Sequence, residues 1–242
     1  MIGGLRSCSF IDFPGRLSAV IFLRGCNLRC PYCHNLGLLD AEGPSMGLEE
    51  LVAFLSSRRG LLDGVVISGG EPTLWPGLRS LIEAVRALGY EVKLDTNGTR
   101  PEVLSELIGD GLLDYVALDL KDDPAAYAGW LGMREDPEVL ARSLDIVKAS
   151  GVDHELRTTV VPSRHDDEVL GRMARWAAGC RRWILQPCRA NADVSSMRGS
   201  ARPDVCLEEI ASRLRRRHGV ACHSRAETSR RRESNELGAS SP

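Results

Sequence analysis

Six short apolar runs alternate along this chain with stretches of helical periodicity, and that alternation restricts the fold more than any other feature. The runs cover residues 18–23, 64–68, 91–95, 115–119, 155–160 and 183–186; helices are predicted near 48–57, 77–88, 101–108, 137–150, 167–178 and 203–218. Strands that alternate with helices form parallel β/α units, because a parallel partner needs a crossover long enough to hold a helix. Six such units suit a partial (β/α)6 barrel. A flavodoxin-like doubly wound sheet has the same pattern, and periodicity alone does not separate the two.

The polar motifs fall at one place in each unit, the carboxyl end of the strand. The first run leads into a cysteine loop and the second into Ser68-Gly69-Gly70-Glu71-Pro72-Thr73. The third ends in Asp95-Thr96-Asn97-Gly98, and the fourth in Asp119-Leu120-Lys121. The fifth ends in Val160-Val161-Pro162 and the sixth in Gln186-Pro187-Cys188-Arg189. In β/α barrels those ends share one face, where active sites are built. Asn97-Gly98 taken alone is an ordinary turn signal.

The cysteine loop reads Arg24-Gly25-Cys26-Asn27-Leu28-Arg29-Cys30-Pro31-Tyr32-Cys33-His34-Asn35, a C-x3-C-x2-C spacing. A cubane iron–sulfur cluster takes four thiolates. Three leave one iron open to a substrate. Structural zinc needs four ligands, and His34, adjacent to Cys33, would have to chelate under strain to supply the fourth. A thioredoxin-like site uses only Cys30 and Cys33 and leaves Cys26 without a role. The other cysteines (Cys8, Cys180, Cys206, Cys222) are isolated and read as core or surface thiols, and Cys188 ends the sixth strand.

With 242 residues, 43% hydrophobic and net charge −2, the chain reads as one soluble domain over residues 1–226. A polar tail at 227–242 reads as disordered. No run approaches the ~20 apolar residues of a membrane span, and no secretory leader pattern opens the chain, so a cytoplasmic location is expected. Arginine crowds the end (Arg213, Arg215, Arg216, Arg217, Arg225, Arg230, Arg231, Arg232), but glutamates are mixed in and no aromatics interleave. That composition reads as a solvated helix face, and no nucleic acid is expected. Of 31 Lys and Arg residues only Lys93, Lys121 and Lys148 are lysine, which makes each worth inspecting.

The C-x3-C-x2-C run with Tyr32 before its last cysteine resembles the signature of the radical S-adenosylmethionine (radical SAM) superfamily, whose usual architecture is the partial (β/α)6 TIM-like barrel. Cys33-His34-Asn35 is similar to the glycyl-radical-enzyme activating branch. Ser9-Phe10-Ile11-Asp12-Phe13-Pro14-Gly15-Arg16-Leu17, followed by Val20-Ile21-Phe22-Leu23, resembles more narrowly the activating proteins of anaerobic ribonucleoside-triphosphate reductases. Activases of other glycyl-radical enzymes, such as pyruvate formate-lyase, share every cluster and cofactor motif. This chain departs from the branch at Leu36, where relatives often have proline, and at Cys188, where they tend to have an aromatic. A non-catalytic zinc or redox protein is the remaining alternative.

The resemblance implies an oxidoreductase with one 4Fe-4S cluster on Cys26, Cys30 and Cys33, and S-adenosylmethionine on the open iron. Gly69, Gly70 and Glu71 would bind the cofactor's amino group, with Tyr32 and His34 beside the cluster and the adenine. Asp119 suits ribose hydroxyls and Lys121 a carboxylate, the alternative being a surface salt bridge between them. Asp95 would lie near the cofactor's carboxylate, with room for a monovalent cation between them. Arg157, in an otherwise apolar strand, either lines the site or pairs with Glu155 or Asp119. A flavodoxin- or ferredoxin-type donor would supply one electron, and the 5′-deoxyadenosyl radical left after loss of methionine would take hydrogen from a glycine of the partner. Cluster and cofactor carry that chemistry, so no catalytic acid or base is assigned.

Overall fold

The computed structural model of the chain describes residues 1–188 and 206–225, in two compact units. The first holds Met1–Asp119 and Pro124–His154, and the second Leu120–Asp123 and the described residues from Glu155 onward. The predicted tail at 227–242, together with Arg189, lies outside the described residues.

In the first unit, β1 (Ile2–Ser9) pairs antiparallel with β2 (Ser18–Leu23). Parallel pairs then join β2 to β3 (Gly64–Gly69), β3 to β4 (Glu91–Thr96), and β4 to β5 (Tyr115–Asp119). Helices α1 (Leu48–Ser56), α2 (Leu78–Ala87) and α3 (Pro101–Gly109) form the crossovers, and α4 (Tyr127–Leu131) and α5 (Glu138–Ala149) follow β5. Sequential parallel order, with no reversal, is not the order of a flavodoxin-like sheet, whose second strand lies outside its first. The local reasons are plain in α2, where Leu78, Leu81, Ile82 and Val85 recur at helical spacing and are all buried. In α3, Pro101 stands in the first turn, where its missing N–H costs nothing.

One face of this sheet is built in transverse rows. Val20, Val66, Lys93 and Tyr115 are register partners across β2–β5. Phe13, from the β1–β2 loop, packs on Val20, Val66 and Tyr115, with its ring 5.8 Å from that of Tyr115 at 61°. Two residues further along each strand, towards the carboxyl ends, stand Phe22, Ser68, Asp95 and Ala117. The core therefore closes the amino end of the strands, with Lys93 its one charged member, and further polar groups (Ser68, Asp95) stand one row above it.

In the second unit, β6 (Asp153–Val160, its first two residues grouped with the first unit), β7 (Trp183–Pro187) and β8 (Cys222–Ser224) pair in parallel and in order. Helix α6 (Asp167–Ala177) is capped by the Asp166 side chain, which accepts the Val169 N–H at 2.8 Å. In α7 (Leu207–His218), Arg215 reaches Glu208 and the Cys222 carbonyl, and Arg213 pairs with Asp167, so part of the arginine face is spent inside the protein.

All six strands and six helices of the predicted pattern are present, and the fold is α/β with parallel strands in both units. Strands β1 and β8 and the short α4 carry no clear periodic signal. Five residues are too few to show a 3.6-residue period, and β1 is glycine-rich with an exposed, polar middle. Among the described residues, no helix is long and apolar enough to cross a membrane.

Candidate metal centre and cofactor site

The cysteine loop leaves β2 through Gly25, whose φ of +92° a residue with a side chain rarely adopts. Its return is fixed by backbone bonds from Gly25 N to Leu38 O (2.8 Å) and from Cys26 N to Leu39 O (3.0 Å). Arg24 holds the returning segment further, donating to the carbonyls of Gly37, Glu42 and Pro44. Within the loop, Cys33 N donates to Cys30 O at 3.0 Å. Cys26, Cys30 and Cys33 are all half-buried. Backbone N–H groups point at two of the sulfurs, Leu28 N at Cys26 Sγ (3.4 Å) and Asn35 N at Cys33 Sγ (3.3 Å).

The glycine pair after β3 is explained by close packing. Gly69 has φ +119°, and a Cβ there would lie 2.3 Å from Leu23 O; on Gly70 it would lie 2.2 Å from Gly25 O. The strap bonds directly to the exit of β2, Gly70 N to Leu23 O (2.9 Å) and Glu71 N to Gly25 O (2.8 Å). Asn35 Nδ2 closes the link by donating to Gly69 O at 2.8 Å.

Glu71 turns inward and is fully buried. Its Oε1 accepts from Thr73 N (3.1 Å), Thr73 Oγ1 (2.5 Å) and Thr96 Oγ1 (2.7 Å), and its Oε2 from Asn97 N (2.6 Å). Burial holds its carboxyl pKa above the usual range, and those donors offset that rise only in part. The carboxylate that the sequence offers to a ligand's amino group is thus engaged by the protein itself, and it ties the strap to the end of β4. From there Asn97 Nδ2 donates to Asn27 Oδ1 at 3.0 Å, inside the cysteine loop. Asn27 Nδ2 in turn donates to Thr99 Oγ1 and Glu135 Oε1, each at 2.9 Å.

The other predicted site residues are placed as follows. Tyr32 is buried, its ring 5.4 Å from that of Trp130 on α4, and His34 is exposed. Asp95 accepts from Lys93 Nζ (2.5 Å) and Ser68 Oγ (3.0 Å). Asp119 is half-buried at the end of β5. Lys121 and Arg157 are half-buried residues of the second unit. There His165 Nε2 meets Lys121 O at 3.1 Å, and Leu120 N donates to Arg157 O at 2.9 Å. Glu155, one carboxylate considered for Arg157, accepts from Arg225 at 3.3 Å. In the first unit the cysteine loop, the Gly69–Gly70 strap and the Asp95–Asn97 strand end are joined by hydrogen bonds. Sequence reasoning quoted Asn27, Asn35, Thr73, Thr96 and Asn97 within its motifs but assigned them no role; apart from Thr73, which bonds to nearby Glu71, their partners are distant in the chain.

The chain belongs to the radical SAM superfamily, whose profile matches residues 20–175. Its relatives place it among the glycyl-radical-enzyme activating enzymes. A Methanocaldococcus jannaschii protein, provisionally named a glycyl-radical enzyme activating enzyme, is 40% identical over 196 residues, 77% of this chain and 79% of the relative. The pyruvate formate-lyase 1-activating enzyme of Escherichia coli K12 is 31% identical over 180 residues, 69% and 70% of the two chains. Among solved structures, Streptococcus suis SuiB bound to its precursor peptide SuiA superposes with a TM-score of 0.61 at 15% identity. It covers 85% of this chain, which spans about half the length of SuiB (47%) and shares its fold.

The family's 4Fe-4S cluster and S-adenosylmethionine can be tested against these residues. Among the described residues no three His, Cys, Asp or Glu side chains gather where one ion would sit. A cubane does not ask for that, since each thiolate binds a different iron. N–H groups aimed at Cys26 and Cys33 supply the sulfur hydrogen bonds that tune such clusters. The residues fit the cluster. A cavity of about 580 Å³ borders Cys26, with Arg24, Arg29, Leu74 and Trp75 among its lining, and neither Gly69, Gly70, Glu71 nor Asp95 reaches it.

Proposed function

We propose that this radical SAM activase generates the glycyl radical of an anaerobic ribonucleoside-triphosphate reductase. Cys26, Cys30 and Cys33 bind three irons of the cluster and leave the fourth for S-adenosylmethionine. When bound, the pair supplies one-electron reductive cleavage and a radical that abstracts hydrogen. The chain's own residues hold and orient. Gly69 and Gly70 present bare backbone to the cofactor's amino group, and Tyr32 and His34 flank the cluster. Asp119 takes ribose hydroxyls, and Lys121 and Arg157 take acidic groups. Asp95 stands near the carboxylate. Glu71 acts indirectly, by fixing the glycine strap to Thr96 and Asn97. A flavodoxin- or ferredoxin-type donor can approach through the open cavity beside Cys26.

The observation that carries the activase reading is the strap itself: the Gly69–Glu71 segment is bonded to both ends of the cysteine loop, by Glu71 N to Gly25 O and by Asn35 Nδ2 to Gly69 O. For the reductase as partner, support comes from the run Ile11-Asp12-Phe13-Pro14-Gly15, in which Phe13 is core while Phe10 and Ile11 stand exposed. The test is anaerobic mixing with S-adenosylmethionine, a reductant and either the reductase or pyruvate formate-lyase. A glycyl-radical doublet in electron paramagnetic resonance is expected with the reductase, requiring both Cys33 and the partner's glycine. A doublet with pyruvate formate-lyase alone would keep the activase and replace its partner.

A further inference from the structure

Lys93 has no exposed side-chain surface. Its row neighbours Val20, Val66 and Tyr115 are apolar or aromatic, and its ammonium lies 5.8 Å from the centre of the Tyr115 ring. A lysine in such a row is held there by a partner, because an uncompensated buried charge is strongly disfavoured. The partner is Asp95, one row nearer the carboxyl ends, with Nζ to Oδ1 at 2.5 Å and Ser68 Oγ on the other oxygen at 3.0 Å. Residues two apart on one strand face the same side, so the pair is built into β4 and needs no loop to form it.

Resting on the reading in which Asp95 faces the carboxylate of S-adenosylmethionine, we infer that Lys93 supplies the positive charge a monovalent cation would otherwise bring. Two carboxylates brought close repel unless a positive charge relieves them. A metal ion can be that charge, but the Asp95 oxygen it would take already accepts from an ammonium. Lys93 is thus a positioning residue: it acts through Asp95, and cofactor binding in this chain does not depend on K⁺ or Na⁺.

The test is calorimetric titration of the reconstituted protein with S-adenosylmethionine in choline, Na⁺ and K⁺ chlorides of equal ionic strength. Wild type should change affinity by less than about twofold across the three salts. Lys93→Met should bind about ten- to a hundredfold more weakly in choline and regain affinity in K⁺ or Na⁺, as expected for loss and replacement of a charge-assisted bond. In the cluster-free chain, K⁺ should raise the melting temperature of Lys93→Met and leave wild type unmoved. A purely structural lysine would lower that temperature without making affinity cation-dependent. Wild-type binding that collapses in choline overturns the inference whether or not the variant folds. No wild-type binding in any salt would instead remove the cofactor reading beneath it, and the inference with it.

Discussion

Asn97 donates its side-chain amide to Asn27 Oδ1 at 3.0 Å while its backbone N–H donates to Glu71 Oε2 at 2.6 Å. One residue after β4 therefore holds the cysteine loop with one group and the glycine strap with another. Its Oδ1 also accepts from Thr99 N and Thr99 Oγ1, so both acceptor sites and one donor of the side chain are engaged in a buried setting. Asn97→Ala should cost about 1–3 kcal/mol, the price of stranding buried partners. Asn97→Asp keeps the acceptor and loses the donor to Asn27, so it should also shed iron faster from the reconstituted protein. Thermal unfolding and timed iron release under chelator measure the two effects. Wild-type iron retention in Asn97→Asp would show that the Asn27 link does not hold the cluster loop.

Cysteine substitutions should divide by position. Cys26→Ala, Cys30→Ala and Cys33→Ala should each lose the cluster, and anaerobic iron counting reads this directly. Cys8→Ala and Cys206→Ala, at exposed positions, should keep it. Cys222 is buried, and burial pushes its thiol up to about 12, so it stays protonated at neutral pH and cannot act as a thiolate. Iodoacetamide should leave Cys222 unmodified in the folded chain. Its rapid alkylation there would contradict the burial of the Cys222 side chain.

Much of the parallel framework is legible in the sequence because each strand is a short apolar run and each helix shows a 3.6-residue period. The strand ends are legible too, since Gly-Gly, Asn-Gly and charged residues interrupt those runs. What the side chains do at the ends is not. Glu71 reads as a ligand's acceptor, and nothing local reveals that Thr96 and Asn97, some 25 residues on, have claimed its oxygens. Gly69 and Gly70 read as open backbone for a ligand, whereas the nearest demand on them comes from Leu23 and Gly25. Lys93 stands out in composition by rarity, but its pairing with Asp95 follows only once β4 is known to turn that face inward.

Two glycine substitutions separate packing from propensity. Gly70→Ala puts a Cβ 2.2 Å from Gly25 O, a backbone atom that cannot swing aside, so the strap and the cysteine loop must part. Loss of both iron and stability is expected, by several kcal/mol on the scale of overpacking and broken backbone bonds. Gly109→Ala, at the end of α3, meets nothing within 4 Å and should stabilise by about 0.5–1 kcal/mol through helix propensity. Paired melting curves with iron counts check both. A Gly70→Ala protein with full iron and unchanged stability would mean that the strap stands further from Gly25 than its hydrogen bonds indicate.

The pH response should be set in part by His165, in the second unit. Its Nδ1 accepts the Val161 N–H at 2.9 Å while Nε2 meets the Lys121 carbonyl at 3.1 Å, and only the neutral ring protonated on Nε2 satisfies both. Burial lowers its pKa below 6.5; Asp122 and Asp166 and the bond to Lys121 oppose that, while Arg164 adds to it. A histidine with a depressed folded pKa stabilises fully above the unfolded value, where neither state takes the proton. As pH falls from 6.5 towards the folded value, the unfolded chain is protonated first and stability declines, by at most about 1.4 kcal/mol per pH unit for one proton. His165→Gln retains a donor and an acceptor but does not titrate. Denaturant unfolding of the cluster-free chain between pH 7.5 and 5 should therefore fall more steeply for wild type than for His165→Gln, with other titrating groups common to both. Equal slopes would show that His165 takes up its proton in the folded chain as readily as in the unfolded one, and that the Lys121 loop is not held by a neutral imidazole.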